Sequence, residues 1–390
     1  MTKKIYLDYN ATGPVLPEVL EAMLAYFTVE YGNPSSVHSL GQEAMEAVED
    51  AREKVADLIG ADPNEIIFTS GGSESDNFAI KGFIGSLKGK KAHVITSAVE
   101  HKAVLETVHF LEESGVEATY LDVDKKGKIA IDDLESAIIA DTRLITIMYA
   151  NNETGTIFDI PSIGKIARDR GIAFHTDAVQ AVGKIPVNVK VDKIDMLSIA
   201  GHKMGAPKGV GALYIKSDLN PRPIPLIHGG KHEFNMRAGT INVPSVVGLG
   251  VAAEIAKNEL KEKGKRLKKL RDRLEAGILE RIDNVRINGD VENRLSNTSN
   301  MSFAYVEGES LMIDLDIHGI CVSSGSACSS EDITLSHVLE AMGVDRVIGQ
   351  GTIRFSLGYG NTEEEIDYVI ETIPKIIKRL RELSPLYKEG

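Results

Sequence analysis

The chain has 390 residues, 43% of them apolar and 26% charged, with a net charge of −13. This is the make-up of a soluble globular protein with a large core, and it excludes disordered and fibrous classes. The acidic balance argues against nucleic acid or an anionic membrane as the main partner, no apolar run approaches the roughly 20 residues that span a bilayer, and the two cysteines, Cys321 and Cys328, are too few for a disulfide scaffold or, alone, for a structural zinc site.

The N-terminus, Met1 to Asn10, has basic residues but no apolar leader core, so a cytoplasmic protein is expected. Gln42 to Ile59 then carries apolar residues at helical spacing, and Gly60 ends the pattern. Ile66-Ile67-Phe68 reads as a strand. Thr69-Ser70-Gly71-Gly72-Ser73-Glu74-Ser75 follows it, before a helix expected to open near Asp76. Small residues at a helix start offer free N–H groups and hydroxyls to a phosphate; an ordinary capped helix start reads the same way.

His93 to Thr96 is the next strand, followed by Val99-Glu100-His101-Lys102 and a helix over Lys102–Glu113. An imidazole there can stack on an aromatic cofactor and shuttle protons, or simply be structural. Leu144 to Met148 leads to Asn151-Asn152-Glu153-Thr154-Gly155, where an amide can meet a cofactor oxygen or only make a turn. A helix over Ile163–Arg170 precedes the strand Ile172 to His175 and then Thr176-Asp177-Ala178-Val179-Gln180. A carboxylate at that strand end suits a pyridine nitrogen that must stay protonated, or a helix cap. Met196 to Ile199 is followed by Ala200-Gly201-His202-Lys203. A lysine on such a loop can form a Schiff base with an aldehyde cofactor, or be a plain exposed lysine. A phosphate cup, a carboxylate and a lysine, in that order and each at a strand end, together describe a pocket for pyridoxal phosphate (PLP). Alternating strands and helices with nearly continuous apolar strands imply a parallel sheet covered on both faces, with ligands at the carboxyl ends of the strands.

From about Val246 the texture changes. A charged helical stretch, Val247 to Ile282, leads to strand candidates Val285–Ile287, Asn300–Tyr305 and Thr352–Leu357, and to a final helix from Thr362 to about Leu383. This reads as a smaller α+β lobe that shares a long helix with the first. Ser323-Ser324-Gly325-Ser326-Ala327-Cys328-Ser329-Ser330 surrounds one cysteine with small polar residues, as an exposed loop with a usable thiol would. Cys321, between Ile320 and Val322, is expected to be a buried apolar filler. Arg354, inside an apolar strand, needs a partner, either a substrate carboxylate or an internal acid.

Together these segments resemble the cysteine desulfurases of the NifS/IscS type, within PLP fold type I. The resemblance runs from Tyr6-Leu7-Asp8-Tyr9-Asn10-Ala11-Thr12 through Asn33-Pro34-Ser35-Ser36, Glu100-His101-Lys102, Asn151-Asn152-Glu153, Gly201-His202-Lys203 and Arg237-Ala238-Gly239-Thr240 to the Cys328 loop and Arg354-Phe355-Ser356-Leu357-Gly358. It implies an α/β fold: a large domain over 14–250 with a mostly parallel seven-stranded sheet between helices, and a small α+β domain made of 1–13 and 251–390. It implies that Lys203 bonds PLP and moves protons, that His101 stacks on the ring, and that Asp177 pairs with the ring nitrogen. It places Asn152 and Gln180 on the ring-hydroxyl side and gives the phosphate to Gly72, Ser73, His202 and position 200, with Thr240 arriving from the second subunit of a homodimer. Asn33, Asn152 and Arg354 would grip the carboxylate of L-cysteine. Cys328 would attack the substrate sulfur, leaving L-alanine and a persulfide for a sulfur acceptor such as an iron–sulfur scaffold. No metal site of its own is implied, though Cys328 could share a cluster ligand role with a partner. Ala200 stands where the family often has serine, and Lys231-His232-Glu233-Phe234-Asn235 departs from the family pattern, which puts contacts there, dimer contacts included, in question. A selenocysteine lyase or an aminotransferase of the same fold is the alternative.

Overall fold

In the computed structural model, which describes residues 4–324, 335–385 and 387, the chain opens with a short strand, β1 (Ile5–Tyr6), and two helices, α1 (Pro17–Thr28) and α2 (Ser39–Ile59). Gly60, at φ 70°, ends α2 in the left-handed conformation that favours glycine. Alternation follows: β2 (Ile66–Thr69), α3 (Gly72–Ser86), β3 (His93–Ser97), α4 (Lys102–Glu113), β4 (Glu117–Leu121), α5 (Ile131–Ala137), β5 (Thr142–Thr146), α6 (Ile160–Arg170) and β6 (Ala173–Asp177). β7 (Met196–Ala200) and β8 (Gly211–Ile215) complete the central sheet. A 39-residue helix, α7 (Val243–Arg281), leads to β9 (Val285–Asn288), β10 (Thr298–Phe303), α8 (Gly308–Ile317), β11 (Ile320–Cys321), α9 (His337–Ala341), α10 (Arg346–Gly349), β12 (Thr352–Ser356) and α11 (Glu363–Leu383).

The seven-stranded sheet has the order β2-β8-β7-β6-β5-β3-β4. Only β8 runs against its neighbours, because β7 reaches it without a crossover helix. Successive residues of the strands feed different cores. Ile66, Phe68, Ile145, Phe174 and Leu197 join one, whereas Ile67, Leu144, Ala173, Met196 and Leu213 join the other. Both faces are therefore buried, which is why the strands read as continuous apolar runs. Each fully buried Phe or Leu contributes about 1.5–3 kcal/mol.

A third core gathers the distal part of α7 (Leu267, Leu270, Leu274, Ile278) with β10, β12, α8 and α11. The proximal part of α7 (Val246, Leu249, Ala252, Ala253) packs into the first core, so the long helix serves both.

Three expectations needed correction. α3 begins at Gly72, not near Asp76, because its first turn is made of the small polar residues that resemble a loop. The strand expected at 144–148 lies at 142–146, and β4 and β8 were not anticipated. Cys321 is only partly buried, with its thiol 3.8 Å from Asp316 Oδ1, so it is not a core filler. Burial raises that thiol's pKa.

Candidate active site

Gly71, at φ 151°, takes a backbone conformation reserved for glycine and turns the chain from β2 into α3. A Cβ on Gly72 would stand 2.7 Å from Val179 Cγ2, so only glycine fits there. The opening N–H groups of α3 have no helical carbonyl to bond, and they face a cavity of about 370 Å³ at the carboxyl ends of the strands. Gly72, Ser73, His101, Asn152, Asp177, Gln180, Ala200, His202, Lys203 and Arg354 all line it.

Asp177, the last residue of β6, is buried and takes the Val179 N–H on Oδ1 at 2.9 Å. Its surroundings are acidic. Asp76 on α3 is buried with Oδ1 lacking a hydrogen bond among the described residues and 3.7 Å from His175 Nε2, and Glu100 is buried with Oε2 likewise lacking a hydrogen bond. Burial, reinforced by the Asp177 charge, holds the Asp76 carboxyl well above the usual range; burial pushes Glu100 up to about 8. Close carboxyls in a dry site cannot all ionise. Nearby His175 bonds Thr146 Oγ1 at 2.8 Å and Ser198 Oγ at 3.0 Å, and burial brings it down to about 3, so it is neutral.

Lys203 lies in the short turn after β7, and its Nζ donates to the carbonyls of Asn10 and Ala11 (2.5 and 2.8 Å). Burial, then the Arg354 charge, lowers its pKa to about 8 against the opposing pull of Asp177 and Asp8. Asn10 is the hub of the site. Its carbonyl also accepts from Gln180 Nε2 (3.0 Å), and its Oδ1 accepts from Lys184 Nζ (3.0 Å) and Asn297 Nδ2 (3.0 Å). Its Nδ2 donates to Thr298 Oγ1 (2.8 Å) and the Asn152 carbonyl (3.2 Å). The N-terminal segment thereby ties the lysine to residues from both lobes.

His101 caps α4, its Nδ1 accepting the Ala103 N–H at 3.1 Å. The neutral ring therefore carries its proton on Nε2. Burial, with help from Lys203, lowers its pKa, against the pull of Asp177. His202 lies 3.0 Å from Thr12 Oγ1 and is pushed down to about 4 by burial.

Arg354 on β12 is buried and donates to Asp8 Oδ1 (2.7 Å) and the Asn152 carbonyl (3.0 Å). The internal acid considered for it therefore exists, but its Nε is unpartnered among the described residues. Arg354 lines the cavity, and a guanidinium there suits an incoming carboxylate.

Two expected residues stand apart from the cavity. Asn33 is exposed and accepts the Ser35 N–H at 2.9 Å, and Thr240 is exposed outside the lining. Cys328 lies outside the described residues, although Ser323, which precedes its loop, lines the cavity. Asp76 and Lys184 escaped the sequence reading because a lone Asp in a helix or a lone Lys in a turn looks like solvated surface. Asn10 was visible only as part of a motif.

The class-V aminotransferase family matches residues 5–369 of the chain. The cysteine desulfurase IscS of Dictyoglomus turgidum is 51% identical over 389 residues, covering 100% of this chain and 98% of that protein. The cysteine desulfurase IscS of Methanosarcina thermophila is also 51% identical, over 98% of this chain and 94% of that protein. Among solved structures, a NifS-like protein superposes with a TM-score of 0.91 at 41% identity, covering 97% of this chain and 100% of that one. SspA in complex with cysteine superposes with a TM-score of 0.81 at 39% identity, covering 91% and 99%.

Proposed function

The chain belongs to the class-V aminotransferase family, a PLP-dependent family, and from that premise we propose that it is a cysteine desulfurase, converting L-cysteine and the Cys328 thiol into L-alanine and a Cys328 persulfide. The observation that carries the reading is the convergence of Lys203, Asp177, His101 and Arg354 on one cavity, with the N-terminus of α3 at its rim.

These residues fit PLP. The free N–H groups of α3, with Ser73 and His202, suit the phosphate. Asp177 suits the ring nitrogen, His101 the ring face, and Gln180 with Asn152 the ring hydroxyl. Ala200 offers no hydroxyl, which costs the phosphate about 1 kcal/mol. When bound, PLP supplies an electron sink that drains charge from the substrate Cα. Arg354, in the cavity lining, orients the substrate carboxylate. Lys203, poised near pH 8, takes the Cα proton once its nitrogen is free. His101 offers its Nε2 proton on the cavity side. Cys328, as thiolate, attacks the substrate sulfur; the S–S bond forms as the C–S bond breaks, and a proton returns to the carbon that becomes the alanine methyl. Atoms balance with no added oxidant, since one sulfur moves from cysteine to Cys328.

The wider reading follows. The chain acts as a homodimer in the cytoplasm, divided into lobes of 14–250 and of 1–13 with 251–390, and hands its sulfur to an acceptor protein for iron–sulfur cluster assembly. Exposed Leu20, Leu24, Phe27, Tyr31 and Val37, close together in sequence, are candidates for the dimer contact. The exposure of Thr240 suits its service to a neighbour's phosphate. No helix among the described residues is long and apolar enough to cross a membrane.

Purified with PLP, the protein is expected to show a visible cofactor band that Lys203→Ala abolishes, and to make alanine and sulfide from cysteine under reducing conditions. Cys328→Ala should lower both products by about 10³-fold or more. Alanine formation that survives Cys328→Ala would refute the persulfide route.

A further inference from the structure

A second cavity, of about 50 Å³, shares only Lys203 with the first among its lining residues. It lies where the N-terminal segment, α7 and the strand end at Leu357 meet. Lys184, Lys203 and Lys263 line it, and no Asp or Glu does. Lys184 spends two N–H groups on neutral oxygens, Asn10 Oδ1 at 3.0 Å and Gln180 Oε1 at 2.5 Å. Lys263 has no hydrogen bond or ion pair among the described residues. Of the charged groups nearby, Arg266 bonds the carbonyls of Gly358, Tyr359 and Asn361; Glu259, one helical turn before Lys263 and outside the lining, partly offsets the burial of Lys263; and only cations act on Lys184.

Cations held in a half-enclosed, largely apolar space whose lining offers no counter-charge are unfavourable. We propose that this cavity binds a small carboxylate anion, of the size of acetate, between Lys184 and Lys263, and that its occupancy tunes the charge at Lys203 from behind.

The volume holds about four water-sized groups, matching the four non-hydrogen atoms of acetate, while Leu260 and Leu267 suit its methyl group. An amino acid is disfavoured because its ammonium would face two further cations. The cavity is therefore not a second substrate site. Burial pushes both Lys184 and Lys263 below the usual lysine range, Lys203 adding to the effect at Lys184. An arriving anion reverses that push, so binding takes up a proton.

The experiment uses the PLP-loaded protein and acetate at constant ionic strength. The expected result is a saturable upward shift of about one pH unit in the pH midpoint of the visible absorbance. Calorimetric heats should also vary with the ionisation enthalpy of the buffer, as proton uptake requires. Both effects should vanish in Lys263→Met and in Gly264→Leu. The second variant guards against mere loss of charge: a Cβ at Gly264 meets only Ser296 Oγ, at 3.9 Å, so a leucine fills the space while all three lysines remain, and replacing glycine inside a helix favours the fold. No saturable shift with acetate, an equal shift with chloride, or a shift that persists in either variant would overturn the proposal. Calorimetry on PLP-free protein separates this result from failure of the desulfurase reading, since proton uptake with acetate is expected there whether or not PLP yields a visible band.

Discussion

At the scale of single residues, Lys203 carries the most chemistry. With its pKa lowered to about 8, it is mostly ammonium below that value and cannot take a proton; above it, the amine is free. The rate of alanine formation is therefore expected to fall as pH drops through about 8, and to level off above it. A profile flat from pH 6 to 9 would show that Lys203 is not the limiting base. Lys203, Asp177 and His101 were legible because each stands just past a predicted strand end, where open α/β sheets bind ligands. Asp76 was not legible. Only the fold reveals that α3 brings it beneath Asp177. Arg354 was half legible: a charge in an apolar strand called for a partner, but the choice of Asp8 depends on the segment after β1 bridging to β12, with Asp8 opposite Ser356, across more than 340 residues of sequence.

At the scale of elements, the segment 231–235 that departs from the family pattern has a structural role. Glu233 holds Arg52 of α2 through two hydrogen bonds of 2.8 and 2.9 Å and takes the Phe68 N–H of β2 at 2.8 Å, all buried. Phe234 covers Arg52 from one side, 5.0 Å from ring centre to guanidinium, and Phe68 from another at 4.7 Å. Glu233, Phe234 and Asn235 all adopt positive φ (44, 55 and 65°), a cost that this ion pair helps to offset. Glu233→Ala would leave Arg52 with only Glu49 and the Ile66 carbonyl as partners and would orphan the Phe68 N–H; it is expected to destabilise the protein by about 1–3 kcal/mol, read as a lower urea midpoint. An unchanged midpoint would mean that the pair contributes nothing. None of this was legible, because contacts between α2 and a loop 181 residues later leave no periodic signal. The helices α2, α4 and α11 were legible because their apolar spacing is regular and their ends are capped by Gly60, His101 and Thr362.

At the scale of the whole molecule, α7 joins the lobes and the exposed apolar stretch 20–37 asks for a partner. If this stretch forms the contact of the proposed homodimer, Phe27→Asp, at a half-exposed position away from the cavity lining, is expected to give a monomer in sedimentation analysis where the unaltered chain gives a dimer. Retention of PLP should weaken with it if Thr240 serves the neighbouring site. A dimer that persists unchanged would put the interface elsewhere. The parallel sheet was legible from strand–helix alternation. Its antiparallel member β8 was not, since a short loop and a crossover helix are hard to tell apart in the Gly- and Pro-rich stretch 201–210.

The central claim, that sulfur moves from cysteine to one thiol of this chain, is tested most directly by intact and peptide mass spectrometry. The PLP-loaded protein is mixed with one equivalent of L-cysteine per active site, without reductant, and alanine is counted in parallel. The account predicts a gain of one sulfur atom on the peptide containing Cys328, matched by one alanine per sulfur, and no gain in Cys328→Ala. Alanine released with no added sulfur on Cys328, or sulfur found instead on Cys321, would contradict it.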